Sequence, residues 1–260
     1  MNHSTKMAPI TLAIETSSTE MGLCVTRNGE VVSLLTDEVD ERRSEKLWIE
    51  IDRLLWDAGL TVQDIDLFAV CVGPGGFTGL RVGLAAAKGF ATAANRPMVG
   101  VTSLEAAAAT AASARLVVAL VNAYKGQVYS QLFSIDREGG LIPTNEPRVS
   151  TFRVALEAVR NAGKLVFVGN AAVANEEEIM RLGAEMRQED RQERSRSWTI
   201  QGPEVSLAET IARLALVKYI NGESGSAENV TACYVRPADA EIKLAKGLLS
   251  SKIGRVRRQE

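Results

Sequence analysis

The 260-residue sequence predicts an α/β protein built from two tandem β-β-β-α-β-α units. Three observations lead there. Near the start, two strand-like runs flank an Asn-Gly turn, the strongest short-range hairpin signal. Short apolar runs then alternate with helical stretches, the pattern of parallel strands joined by helices. Past the midpoint the same order of elements returns, as a pattern and not as residue identity.

In chain order, residues 10–14 are an apolar run closed by a polar cluster, as a buried strand is. Residues 21–26 and 31–36 flank Arg27-Asn28-Gly29-Glu30 as a hairpin. Residues 44–59 form a helix, with Ser44 at its N-cap and Gly59 just past its end. A strand over 67–72 runs into Gly73-Pro74-Gly75-Gly76, and a helix over 78–94 follows, stopped by Asn95-Arg96-Pro97. Residues 99–101 are a strand and 104–112 an alanine-rich helix. In the second half, 116–121 is a strand, and strands over 127–135 and 141–149 flank Arg137-Glu138-Gly139-Gly140. Residues 152–161 are a helix, 165–168 a strand and 174–186 a helix. A last helix over 207–221 is expected to pack back on the first unit. The expected division is 8–113 and 114–240, with tails at 1–7 and 243–260. Each half is a ribonuclease-H-like unit, and two in tandem give the actin-like ATPase (ASKHA) architecture of actin, the Hsp70 ATPase domain and the sugar kinases.

Composition prunes the chemistry. A formal net charge of −2 argues against a chain that holds nucleic acid by itself. The basic residues Lys243, Lys246, Lys252, Arg255, Arg257 and Arg258 suit a solubilising tail first and an RNA contact second. The mixed-charge run 187–196 suits a solvated helix end or loop. His3 is the single histidine, so metal sites on paired histidines and Ser-His-Asp or Cys-His catalysis are excluded unless the tail folds inward. Cys24, Cys71 and Cys233 are too scattered for a thiolate metal site, and no metal ligand set is expected. No apolar run approaches the ~18 residues that cross a bilayer, and residues 7–14 lack a leader's cleavage site, so a cytoplasmic protein without membrane contact is expected.

Two motifs carry candidate chemistry. Glu15-Thr16-Ser17-Ser18-Thr19 closes the first strand, where hydroxyls and N–H groups receive phosphate oxygens and a carboxylate holds Mg²⁺ through water. A plain polar turn at a strand end is an equal alternative. Gly73-Pro74-Gly75-Gly76-Phe77-Thr78-Gly79 lies between a strand and a helix, where backbone N–H groups can cradle an anion. It lacks the Gly-Lys-Ser/Thr of a P-loop, and Ala93-Ala94-Asn95 replace the acidic residue of a dinucleotide fingerprint. The candidate phosphate residues are therefore Glu15, Thr16, Ser17, Gly75, Gly76 and Thr78, for a weak ATP or ADP site with Mg²⁺.

The helix over 44–59 has one apolar stripe for its own sheet: Leu47, Trp48, Ile51, Leu54, Leu55 and Ala58. Ile49 and Trp56 lie on the opposite side with Glu45 and Asp52, where a monomer should be polar. The next helix has only Arg81 and Lys88 as charges, and Gly79, Gly83 and Ala87 recur every four residues as a flat ridge for close approach. Both helices thus ask for cover beyond their own sheet.

Leu12-Ala13-Ile14-Glu15-Thr16-Ser17-Ser18, the run from Gly73 through Leu80-Arg81-Val82-Gly83, Gly100-Val101-Thr102-Ser103-Leu104 and Tyr234-Val235-Arg236-Pro237 together resemble the TsaB (YeaZ) family. The resemblance implies the smaller, non-catalytic paralogue of TsaD, which places threonylcarbamoyl on the adenosine beside the anticodon of tRNAs reading A-initial codons. TsaD holds its metal through a His-x-x-x-His pair whose matching positions here are Ser103 and Ala107. Family members often carry an aspartate where Asn122 stands and a basic residue near Tyr124, so this chain departs from them there. Val168-Gly169-Asn170-Ala171 marks the vestige of an adenosine-binding turn. The resemblance implies pairing with a TsaD-like subunit, recruitment of a TsaE-like ATPase, tRNA contact mainly through the partner, and a homodimer when alone. It implies no resident cofactor, with any ATP or ADP shared at the interface. The pairing face is expected at Ile49, Asp52, Trp56, Gly79, Arg81, Val82, Gly83, Ala86, Ala87 and Phe90. Two alternatives stay open: an ATP-dependent phosphotransferase or weak ATPase of the same fold, and a metallopeptidase.

Overall fold

The computed structural model describes residues 9–38, 43–111, 114–189 and 197–236. Ser113, residues 190–196 of the mixed-charge run and the basic tail lie outside them. In the first half, β1 (Ile10–Glu15), β2 (Glu20–Arg27) and β3 (Glu30–Glu38) lead to α1 (Arg43–Asp57) and β4 (Leu67–Gly73). Then come α2 (Phe77–Ala94), β5 (Met98–Thr102) and α3 (Ser103–Ala109). The second half holds β6 (Leu116–Asn122), β7 (Gln127–Ile135), β8 (Leu141–Pro143), β9 (Arg148–Thr151) and α4 (Phe152–Glu157). It continues through β10 (Lys164–Val168), α5 (Asn170–Ala174), α6 (Glu176–Glu189), β11 (Ser197–Ile200) and α7 (Leu207–Ile220).

The first sheet has the order β3-β2-β1-β4-β5 and the second β8-β7-β6-β10-β11, with β9 also beside β7. The two orders correspond strand for strand, so the repeat read in the sequence is a repeat of topology. Strand β1 pairs antiparallel with β2 and parallel with β4, and β6 pairs antiparallel with β7 and parallel with β10.

Side-chain size decides what covers each face. Along β1 the large Ile10, Leu12 and Ile14 enter the core beneath α1, with Leu47, Ile51, Leu54 and Leu55. The small Ala13 points the other way, where Cys24, Ala69 and Cys71 meet Ala208, Ile211, Ala212 and Ala215 of α7. Small residues on both sides let α7 lie close to the first sheet. Leu104, Ala107, Ala108 and Ala111, on and just past α3, pack against the second sheet, while Ala106 faces the first. Helices α3 and α7 therefore stand between the sheets.

Several boundaries differ from the sequence expectation. Helix α1 already includes Arg43, so Ser44 sits inside its first turn and not at the N-cap. Its C-terminus agrees: Gly59 takes φ +65, and Leu60 and Gly59 N–H donate to the Leu55 and Trp56 carbonyls, a Schellman arrangement. The strand expected over 141–149 is two short strands, because Pro143 and Pro147 cannot donate to a ladder and Asn145 Oδ1 takes the Leu132 N–H instead. The helix expected over 174–186 is α6, and the short α5 before it, which was not expected, ends at Asn175, whose side chain bonds back to the Ala171 carbonyl. Strand β11 was not expected. It is four residues long and follows a charged run, but Trp198 buries its ring 4.9 Å from that of Phe167.

One polar device ties the middle layer together. Thr102 and Glu105 form a capping box at the start of α3, and Glu105 Oε1 also accepts from Lys218 of α7 at 2.9 Å. Burial alone would raise the Glu105 carboxyl, but Lys218 with the Thr102 hydroxyl and N–H outweighs it and holds the group below its ordinary range. A carboxyl lowered on folding adds stability above its unfolded value and loses it as pH falls through the folded one. Glu105→Gln is expected to cost about 1–2 kcal/mol at pH 7. The deficit should vanish on acidification below the carboxylate range. Denaturant melts across pH check this; a deficit independent of pH would contradict it.

Candidate functional site

The polar turn after β1 and the glycine loop after β4 meet at one place. The Gly76 N–H donates to the Ser17 carbonyl at 2.6 Å, and a Cβ on Gly75 would lie 2.6 Å from that same oxygen. Gly75 is glycine because the backbone of the turn passes against it. Glu15 is buried, and its Oε1 accepts from the Ser17 N–H and hydroxyl, each at 2.6 Å. Its Oε2 accepts from the Ser18 hydroxyl at 2.9 Å, and the Thr16 hydroxyl donates to the Gly79 carbonyl at 2.8 Å. Thr78 lies exposed in the first turn of α2. The structure thus brings Glu15, Thr16, Ser17, Gly75 and Gly76 together, with Thr78 on the exposed side of the following helix. Yet the carboxylate and hydroxyls of the turn are directed at one another and at backbone, so they do not fit a phosphate–Mg²⁺ cradle.

Across the cleft, Asn122 is occupied with backbone. Its Oδ1 accepts from the Tyr124 N–H at 2.8 Å, and its own N–H donates to Asn170 Oδ1 at 3.0 Å. Gly169 takes φ +94, and a Cβ there would run into the Leu120 carbonyl. A cavity of about 360 Å³ joins the two sides, lined among others by Glu15, Ser18, Ala107, Gly169, Asn170 and Ser206.

Ser103 and Ala107 lie one turn apart on α3. The Ser103 hydroxyl donates to the Pro74 carbonyl, and Ala107 is buried. Among the described residues, no cluster of His, Cys, Asp and Glu is arranged to hold a metal. Burial pushes the thiols of Cys24 and Cys71 up to about 12, with Glu209 and Glu15 respectively adding to the rise, so neither is a thiolate nucleophile near neutrality.

The outer face of α1 and α2 differs in detail from expectation. Ile49 and Trp56 are exposed, at 65% and 82%, with Asp52 exposed beside them. Trp48, expected in the inner stripe, is 50% exposed and lays its ring 5.1 Å from that of Phe90 on α2. Gly79, Gly83, Ala86 and Ala87, expected on the pairing face, are instead buried against β1 and β4. The ridge of small residues serves the helix's own sheet: a Cβ on Gly83 would collide with Thr16 Oγ1. Arg81 is exposed, and Val82 and Phe90 are half-buried. The small residues that face outward include Ala85, Gly89 and Ala93, and a Cβ on Gly89 meets only open space. The signal for this was available, since the charges at 81 and 88 mark the solvent side of α2 and Ala85 shares it. Among the described residues, no helix is long and apolar enough to cross a membrane.

The family model for TsaD, tRNA N6-adenosine threonylcarbamoyltransferase, matches residues 37–179. The tRNA threonylcarbamoyladenosine biosynthesis protein TsaB of Bacillus subtilis is 32% identical over 123 residues, covering 47% of this chain and 54% of that protein. The chain thus spans about half the length of the curated relatives it matches. A Pseudomonas aeruginosa crystal structure described as similar to peptidase YeaZ superposes with a TM-score of 0.71 at 22% identity, covering 88% of this chain and 100% of that one. A ROK hexokinase from Thermus thermophilus superposes at a TM-score of 0.52 and 11% identity, over 82% of this chain and all of that one (100%), which shows the actin-like fold alone. By its own sequence and fold, the chain belongs to the TsaD family, with its resemblance inside that family to the TsaB (YeaZ) members.

Proposed function

We propose that the chain is a non-catalytic subunit required for threonylcarbamoylation of the adenosine beside the anticodon in tRNA. It pairs with a larger TsaD-type catalytic protein through α1 and α2, holds it in an active arrangement and helps recruit a TsaE-type ATPase. Alone, it pairs with a second copy through the same face. The observation that carries this proposal is the exposure of Trp48, Ile49 and Trp56 on one helix, next to the outward Ala85 and Gly89 of its neighbour. Large aromatic groups beside small residues suit a close helix–helix contact with a second protein. Catalysis is assigned to the partner because Ser103 and Ala107 offer no ligand pair and the Glu15 turn is satisfied internally. Any ATP or ADP on this account belongs to the partner or to the shared interface.

Mixing the chain with a TsaD-type protein and separating the mixture by size, with mass from light scattering, tests the pairing. A one-to-one complex that displaces the homodimer is expected. Two species that elute independently at micromolar concentration would overturn it.

A further inference from the structure

Most outer strands of the two sheets leave little room for a further strand. β8 has three residues, and β9 and β11 have four each. On β5 the Met98 N–H donates to the Gly225 carbonyl at 2.9 Å and its carbonyl accepts from the Gly225 N–H at 3.1 Å, so that edge is engaged. β3 is different. Its nine residues pair with β2 on one side and, among the described residues, with no strand on the other. Alternate N–H and C=O groups along that outer side are directed away from the sheet.

The two faces of β3 are covered unequally. Leu35 packs against the core beneath α1. Leu34 pairs with Cys24, on the face that α7 covers, yet the core beneath α7 takes Ala13 of β1 and Cys24 of β2 and, among the described residues, nothing from β3. Val31, Val32 and Leu34 are left 40%, 41% and 43% exposed. Edges that must only stay soluble are kept short, broken by proline or studded with lysine. β3 has neither Pro nor Lys, and one register shift, opposite Val25 and Thr26, is its only irregularity. Its charges are Glu30, Asp37 and Glu38, close to the two ends. Asp37 lies 3.7 Å from Lys46, and Glu30 and Glu38 are exposed.

Those acids decide what can add to the edge. A second copy laid antiparallel about Leu34 sets Glu30 against Glu38 twice, and a parallel copy in register sets each acid against itself. Like charges directly opposite are destabilising, so both arrangements are disfavoured. A segment with Lys or Arg at both ends turns the same positions into attractions. We propose that β3 receives an extended segment of another protein as an added strand, apolar at alternate positions and basic at both ends. Laid antiparallel, a nine-residue segment sets its third, fifth and seventh side chains beside Thr36, Leu34 and Val32, on the face that α7 leaves open. Its ends then lie beside Glu38 and Glu30. The edge does not use Trp56, Ala85 or Gly89, so this site and the pairing face stand or fall by separate experiments.

The test uses the isotope-labelled full chain and the peptide Lys-Thr-Val-Thr-Val-Thr-Val-Thr-Lys, followed by NMR at the β3 amides. The peptide is expected to slow exchange at those β3 amides that do not bond to β2. Proline at its fifth and sixth positions removes ladder donors and should weaken binding about tenfold or more. Glutamate in place of both lysines should weaken it about fivefold at low salt, and Glu30→Lys with Glu38→Lys should restore binding of that peptide. Both positions are exposed, so a melt should show the double variant folded. No response at β3 up to millimolar peptide, or equal binding by the proline peptide, would overturn the site. Equal binding by the glutamate-ended peptide would overturn the choice of a basic partner. Outer amides already protected before any peptide is added would overturn the assignment to another protein. Protection that grows with protein concentration would put a second copy there, and protection that does not would put this chain's own tail there.

Discussion

Gly83→Ala is expected to destabilise the chain by about 2–4 kcal/mol, although alanine is the better helix former by about 1 kcal/mol. The added Cβ points at Thr16 Oγ1, a buried hydroxyl on a stiff β-branched side chain that donates to the Gly79 carbonyl. Thr16 must turn away, leaving a buried hydroxyl unpaired at about 1–3 kcal/mol, and the helix must shift from the sheet at a similar cost. For a chain of this size the midpoint of thermal unfolding should fall by roughly 5–15 °C. Combining Gly83→Ala with Thr16→Ala should recover most of the loss, because the collision is with that one side chain. A single variant as stable as the parent would place α2 farther from β1 than described.

Trp56→Ala has the opposite profile. The side chain is 82% exposed, so truncation should move stability by no more than about 0.5 kcal/mol. If α1 and α2 form the pairing face, a buried aromatic anchor is lost there, and pairing should weaken by about 2 kcal/mol or more, roughly thirtyfold in Kd. Gly89→Leu should likewise leave the monomer folded, since its side chain enters open space, while obstructing close approach of the partner. A binding titration with each variant, beside a circular-dichroism melt, separates these effects. Unchanged pairing in both folded variants would move the interface elsewhere on the molecule.

The contrast between Gly83 and Gly89 shows where sequence reasoning stopped. Periodicity located α2 to within a residue at its start and marked a small-residue ridge. It set that ridge on the pairing face, although Arg81 and Lys88 mark the solvent side of the helix, and the structure buries the ridge against the sheet. Close approach of Thr16 to the helix backbone, 63 residues distant in sequence from Gly79, fixes the buried side and is invisible to any local window. The same limit applies to Trp48. Its place in the i, i+3, i+4 stripe suggested core, but the core beneath is filled by Leu47, Ile51, Leu54 and Leu55, and the ring packs on Phe90 instead.

The β-β-β-α-β-α order was legible because its hairpins carry strong turn signals. Asn28-Gly29 takes left-handed φ values of +52 and +83, as the turn requires. Strand β11 was hidden, since four residues after a charged run have no period to detect. Its partner β10 supplies the pairing that its own sequence does not announce. The Glu15 turn was found from residue type, yet its chemistry was not. Hydroxyls beside a carboxylate read equally as a phosphate cradle and as a closed hydrogen-bond cluster, and residue type carries no record of the 2.6 Å bonds that Ser17 makes to Glu15.

The most direct test of the central claim is threonylcarbamoyl transfer to tRNA, measured with the chain alone, with a TsaD-type partner alone, and with both alongside a TsaE-type ATPase. The account predicts no transfer by the chain by itself and transfer by the partner that depends on the chain being present. Transfer by the isolated chain, or partner activity indifferent to its addition, would contradict it.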